Sequence, residues 1–232
     1  MASYSNICSI NYMYMNAAVE RSIGNLSGFV APQLLASERY VELDGSLAKI
    51  FPLGRVQLGS VVLFQGASNS GVTSAVFELL SSGGMQKRWS ALVGFENLGF
   101  LAAFEKGVDL AKVVSVPNPG RDLAQVVAVL MEAFSVVAIA NPGFISSSQA
   151  RNLISRARSS KSIIAVVQQS LNMYTAQSKG LWLSSYDYVI SSSISGFSGL
   201  SKGGGFIKER RLSLSLGSRR VGGAVKSITV PI

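Results

Sequence analysis

Across residues 61–191 short apolar runs alternate with stretches of helical period, and that alternation leaves few folds open to the chain. VVLFQG (Val61–Gly66) reads as a buried strand, and Val72–Ser81 as a helix that ends at the Gly83-Gly84 breaker. WSALVGF (89–95) is a second strand, residues 98–106 a helix stopped by Gly107, and KVVSVP (112–117) a third strand. Leu123, Val126, Val127, Leu130, Met131 and Phe134 then recur on one helical face, which marks a stripe facing the core. VVAIAN (136–141), a polar helix over 147–159, SIIAVVQQ (162–169) and YDYVIS (186–191) continue the pattern. Strands alternating with helices build right-handed βαβ units, so the expected fold is α/β, doubly wound on a mainly parallel sheet.

The flanks read differently. Residues 1–50 form an irregular arm with a short helix expected over 32–41, and residues 51–200 form the core. SSSISGFSGLSKGGG (191–205) is low in complexity and reads as a mobile loop. IKERRLSLSLGSRR (207–220) alternates apolar with polar residues, so residues 201–232 are expected to be basic, antiparallel C-terminal strands or tail.

Composition narrows the chemistry. Hydrophobic residues make up 48% of the 232 and charged residues only 14%, as suits a sheet covered on both faces. The longest apolar run, 126–140, is interrupted by Glu132 and is too short to span a bilayer. The N-terminus lacks a basic region followed by an apolar stretch, so a cytoplasmic address is expected, with no membrane partner. Histidine is absent and Cys8 is the sole cysteine. A Ser-His-Asp triad, a Cys-His dyad, histidine-ligated metal and structural zinc are therefore excluded.

GASNSGVTS (66–74) follows the first strand and opens a helix. Gly66 and Gly71 have the spacing of the phosphate loop GxxxxGK[ST], in which glycines allow a tight turn and free N–H groups face the phosphates. Thr73 takes the magnesium-ligand position with Ser74 beside it, but Val72 stands where the lysine belongs. Loss of one preorganised charge costs about 3 kcal/mol of transition-state stabilisation, so hydrolysis is not expected. Two readings remain: a loop that still holds phosphate weakly through backbone amides, and a plain strand-to-helix turn. The strand VVAIAN ends in Ala140 and Asn141, where a carboxylate would hold magnesium. No cofactor is therefore expected beyond weak ATP or magnesium binding.

In this order the motifs resemble the RecA family over about residues 53–193. LGRVQLGSVVLFQGASNSGVTS is similar to that family's approach to and passage through its phosphate loop, and GFENLG to the strand end bearing its catalytic glutamate, here Glu96. AVVQQSLNM resembles the strand that ends in a γ-phosphate-sensing amide, here Gln169. The resemblance thus implies a degenerate nucleotide site of Gly66, Ser68, Ser70, Gly71, Val72, Thr73, Ser74, Glu96 and Gln169, with no catalytic residue. With the lysine gone, Glu96 reads equally as a cap on the helix after it. The segments NPGFISSSQ and SLNMYTAQSKGLW depart from the family's DNA-binding loops, and its large C-terminal domain is missing.

Among RecA relatives the small, decayed chain looks most like ImuA, in particular its actinobacterial ImuA-prime branch. That resemblance implies a non-hydrolysing accessory protein of damage-induced translesion synthesis. Its expected partner is a polymerase-like protein of the ImuB kind, with RecA and single-stranded DNA as further candidates. A divergent DNA-dependent ATPase and a SulA-like cell-division inhibitor are the alternatives.

The formal net charge of +9 is unevenly placed. From Lys202 onward Lys202, Lys208, Arg210, Arg211, Arg219, Arg220 and Lys226 face Glu209 alone. Lys208, Arg210, Arg211, Arg219 and Arg220 are the candidate contacts to DNA or to an acidic partner. A second basic group, Arg151, Arg156, Arg158 and Lys161, lies around the polar helix.

Overall fold

A computed structural model describes residues 39–67, 69–86, 88–140, 142, 145–169, 185–201, 204–219 and 226–231. They belong to one compact unit that begins at Arg39. A short antiparallel pair, β1 (Tyr40–Glu42) and β2 (Arg55–Gln57), flanks helix α1 (Gly45–Ile50) in the chain. Tyr40 and Val41, expected to end a helix, are extended here; residues 32–38 of that expectation lie outside the described residues. Val41 pairs with Val56, and both are buried, which a β-branched pair achieves best in a strand.

The main sheet comprises β3 (Val61–Gly66), β4 (Ser90–Val93), β5 (Val113–Val116), β6 (Val136–Ala140), β7 (Ile163–Gln169), β8 (Tyr188–Ser201), β9 (Gly204–Ser218) and β10 (Lys226–Pro231). Their order across the sheet is β10-β9-β8-β3-β7-β6-β4-β5. The six strands from β8 to β5 are mutually parallel, and β9 runs antiparallel to both β8 and β10. This is the mainly parallel α/β sheet with antiparallel C-terminal strands expected from the sequence, and it is consistent with a RecA-like fold.

Alternate residues of each strand feed two cores. Val62 and Phe64 join α1, α2 (Val72–Ser81) and α4 (Phe100–Glu105) on one face, along with Met85 of the one-turn helix α3 (Gly83–Gln86). Val61 and Leu63 join α5 (Leu123–Ala133) and α6 (Ser147–Ser160) on the other. The stripe expected on α5 is the one that packs: Leu123, Val127 and Met131 are buried, with Val126, Leu130 and Phe134 partly so. Ser146 starts α6 with a capping box, its hydroxyl accepting from the Gln149 N–H while the Gln149 side chain accepts from the Ser146 N–H.

Two remote carboxylates fasten segments that sequence spacing does not connect. Glu78 on α2 accepts hydrogen bonds from the Ser46 and Leu47 N–H groups at the start of α1. Asp187, 6% exposed, accepts from the Val61 N–H at 2.9 Å and returns its own N–H to the Val61 carbonyl. It thereby ties the start of the central strand to the entry of β8. Asp187→Ala leaves a buried N–H without that acceptor and is expected to lower stability by about 2 kcal/mol, read as a shifted denaturant midpoint.

One expectation fails outright. Residues 191–201 and 204–205 are strand and not loop: β8 runs on to Ser201 and β9 begins at Gly204, paired from Tyr188↔Ser218 to Ser201↔Gly204. The run is rich in serine and glycine, and across the ladder it faces larger residues such as Glu209, Arg210, Arg211 and Leu212. Register shifts between Ile194 and Gly196 and between Ser198 and Leu200 accommodate extra residues. Among the described residues no helix is long and apolar enough to cross a membrane.

Candidate functional site

The carboxyl ends of β3, β7, β6 and β4 gather the segments that the sequence singled out. Gly66 stands in register with Gln169 on β7 and with Ser192 on β8. Ala140 closes β6, and Glu96 lies in the bend after β4. The glycine loop therefore sits at the centre of the sheet edge, where open α/β sheets bind their ligands. Gly71 takes φ +82° and caps α2, whose first residue is Val72, so the strand–loop–helix order of a phosphate site is present.

Its interior is not open. In a phosphate-cradling loop successive N–H groups face a hollow. Here the Ser70 N–H donates to the Ala67 carbonyl at 3.1 Å, and the Ser192 hydroxyl donates to the Ser70 carbonyl. Val72 is 3% exposed and belongs to the α1/α2 core, with its Cγ2 turned onto Gly66. A β-carbon on Gly66 would stand 2.8 Å from that Cγ2 and 2.6 Å from the Ser192 carbonyl oxygen. Leu212 of β9 presses on Gly71 so closely that a β-carbon there would overlap it. Ser70 is 3% exposed, and its hydroxyl has no hydrogen-bond partner among the described residues.

The C-terminal strands supply the cover. Arg210 reaches from β9 to donate to the Asn69 carbonyl at 2.7 Å, while Asn69 holds a left-handed φ of +66°. Side-chain hydrogen bonding at Ser192, apolar packing at Leu212 and a charged donor at Arg210 thus fasten β8 and β9 to three consecutive loop residues. Sequence reading missed Ser192 and Leu212, because nothing local marks a residue whose partner lies over a hundred positions away. The alternation LSLSL was the available signal: it places Leu212, Leu214 and Leu216 on one face, and all three are buried.

The remaining site residues are dispersed. Thr73 and Ser74 occupy the first turn of α2, half-buried. Glu96 is exposed and makes no hydrogen bond or ion pair among the described residues. Helix α4 begins at Phe100 after Gly99, so Glu96 does not cap it. Ser68, Arg220 and residues 170–182 lie outside the described residues. No group of three or more His, Cys, Asp or Glu that could hold a metal occurs among the described residues.

The basic tail is also divided. Lys208 and Arg211 are exposed on β9, and Arg210 is the half-buried strut to the loop. Arg219 follows the opposite end of β9, its guanidinium 5.0 Å over the Tyr186 ring. The α6 cations sit on the far face of the sheet, where Arg156 pairs with Glu132 at 3.0 Å.

Fold and loop together define a class: a doubly wound α/β protein whose central glycine loop is packed shut by its own side chains and by its C-terminal strands. The chain belongs to the family described as the MT3502 N-terminal domain, whose model matches residues 49–172. It is also similar to Uncharacterized protein Rv3395c of Mycobacterium tuberculosis (strain ATCC 25618 / H37Rv), with 31% identity over 143 residues. That match covers 60% of this chain and 68% of the mycobacterial protein. The family model ends before β8, so the strands that close the loop lie outside it.

Proposed function

We propose that the chain is a non-hydrolysing, RecA-like accessory protein of damage-induced translesion synthesis, working in the cytoplasm as an adaptor. It would bridge a polymerase-like partner of the ImuB kind and the DNA, or the recombinase, at a lesion. The observation that carries this reading is the filled loop. Val72 replaces the lysine and turns inward, and Leu212 lies on Gly71. These groups crowd the place a triphosphate would take, and Ala140 offers no carboxylate to hold magnesium, which supports the reading.

A nucleotide switch gives an ATPase two states. Here Ser192, Arg210 and Leu212 join the C-terminal strands directly to the loop. A loop tied to its own sheet in this way suits a bridge between partners better than it suits a motor. The family match and the mycobacterial relative are compatible with this role and name no activity.

Equilibrium binding and steady-state turnover of ATP, with and without single-stranded DNA, test the proposal. The expected result is no magnesium-dependent turnover in either condition. Turnover that Glu96→Gln abolishes would instead assign the chain to the divergent ATPases.

A further inference from the structure

The β8–β9 pair does not stop at the sheet. β3 leaves β8 at Ser192, and β10 leaves β9 at Arg211. From Phe197↔Arg210 to Ser201↔Gly204 the two strands pair only with each other among the described residues. At about 3.3 Å per residue this two-stranded ribbon is roughly 15–25 Å long. It leaves from the edge that carries the glycine loop, and Arg210 and Leu212 anchor its root there.

Its surface chemistry is unusual for a free ribbon. Phe206 is 76% exposed and Ile207 51%, next to the end of the pairing at Ser201↔Gly204. Behind them stand Lys208 and Arg211, both exposed. Glu209 is the ribbon's one acid in sequence, and its 3.5 Å pair with Arg211 is exposed and therefore weak enough to yield to a stronger anion. Elsewhere on the ribbon Ser198 and Gly199 are small, and Phe197, 48% exposed, stands at its root.

We infer that this ribbon is a duplex-DNA arm: it lies in a groove, Lys208 and Arg211 meet the phosphates, and Phe206 wedges against a base step. β-Ribbons are known to enter DNA grooves, and apolar side chains inserted between base steps hold bent DNA in minor-groove binders. A single strand would need a longer row of rings for stacking than the two, Phe197 and Phe206, that the ribbon exposes. The inference rests on the adaptor reading for its setting, but its test uses no nucleotide, so the two fail separately.

The experiment uses the full chain and a labelled duplex of about 20 base pairs, a length in the range of well-studied bent sites. Anisotropy against salt and end-to-end energy transfer are measured together. The wild type is expected to bind and to bring the duplex ends closer. Lys208→Ala with Arg211→Ala should lower the log–log salt slope by about two units. Phe206→Ala should keep the slope, lose the bend and weaken binding several-fold, with Phe206→Tyr restoring part of the bend. Phe206 is so exposed that its loss leaves the fold intact, which circular dichroism checks. The inference is overturned if the duplex is not bound at low salt, or if the ribbon variants bind as the wild type does. It is equally overturned if a single strand of the same length, or a polyglutamate peptide, binds as tightly as the duplex.

Discussion

Placing a lysine in the glycine loop with Val72→Lys lowers stability by about 3 kcal/mol or more and yields no ATP turnover. Position 72 is 3% exposed and packed in the core that contains Phe64 and Val76. An ammonium placed there is either desolvated without a partner, at several kcal/mol, or forced outward past Gly66. The outward route is blocked, because Leu212 already covers Gly71 and the Ser192 carbonyl lies against Gly66. Denaturant midpoints and a coupled ATPase assay check both parts. A stable, magnesium-dependent ATPase from this one change would mean that the loop opens and that the closure described above is incidental.

Gly66→Ala should be nearly as damaging, at about 3 kcal/mol, the upper part of the usual range for overpacking a close-packed site. Its methyl group would stand 2.6 Å from the Ser192 backbone oxygen and overlap the Ser70 hydroxyl. The serine could rotate away. The carbonyl cannot, because Gly66 and Ser192 face each other in the β3–β8 ladder and a retreat would pull that pairing apart. Gly196→Ala on the ribbon is the control: nothing lies within 4 Å of its added carbon, so its midpoint should move by no more than about 0.5 kcal/mol. Equal effects at the two positions would show that glycine loss matters through the unfolded chain and not through the crowded loop.

What could be read ahead of the fold follows from range. Val72–Ser81 and the α5 stripe were legible because a helix is written in residues three and four apart, and strands β3, β6 and β7 because parallel strands covered on both faces are runs of valine and isoleucine. The 191–205 stretch was misread for the complementary reason. Its serines and glycines carry no strand signal of their own, and its pairing partner lies further along the chain. The same limit split the basic tail, since seven cations close in sequence say nothing about which of them a β-strand sends to opposite ends of a sheet.

By itself, then, the sequence determined the α/β alternation, the exclusion of histidine and zinc chemistry, and the presence of valine and alanine, not lysine and a carboxylate, at positions 72 and 140. Only the tertiary structure decided what became of the vacated loop. Whether a glycine turn stays open or is packed shut depends on Ser192, Arg210 and Leu212, more than a hundred residues away, and on the pairing that brings β8 and β9 over it. The physical reason is that local propensity sets backbone conformation within a few residues, whereas the filling of a cavity is set by whichever side chains the sheet order places beside it.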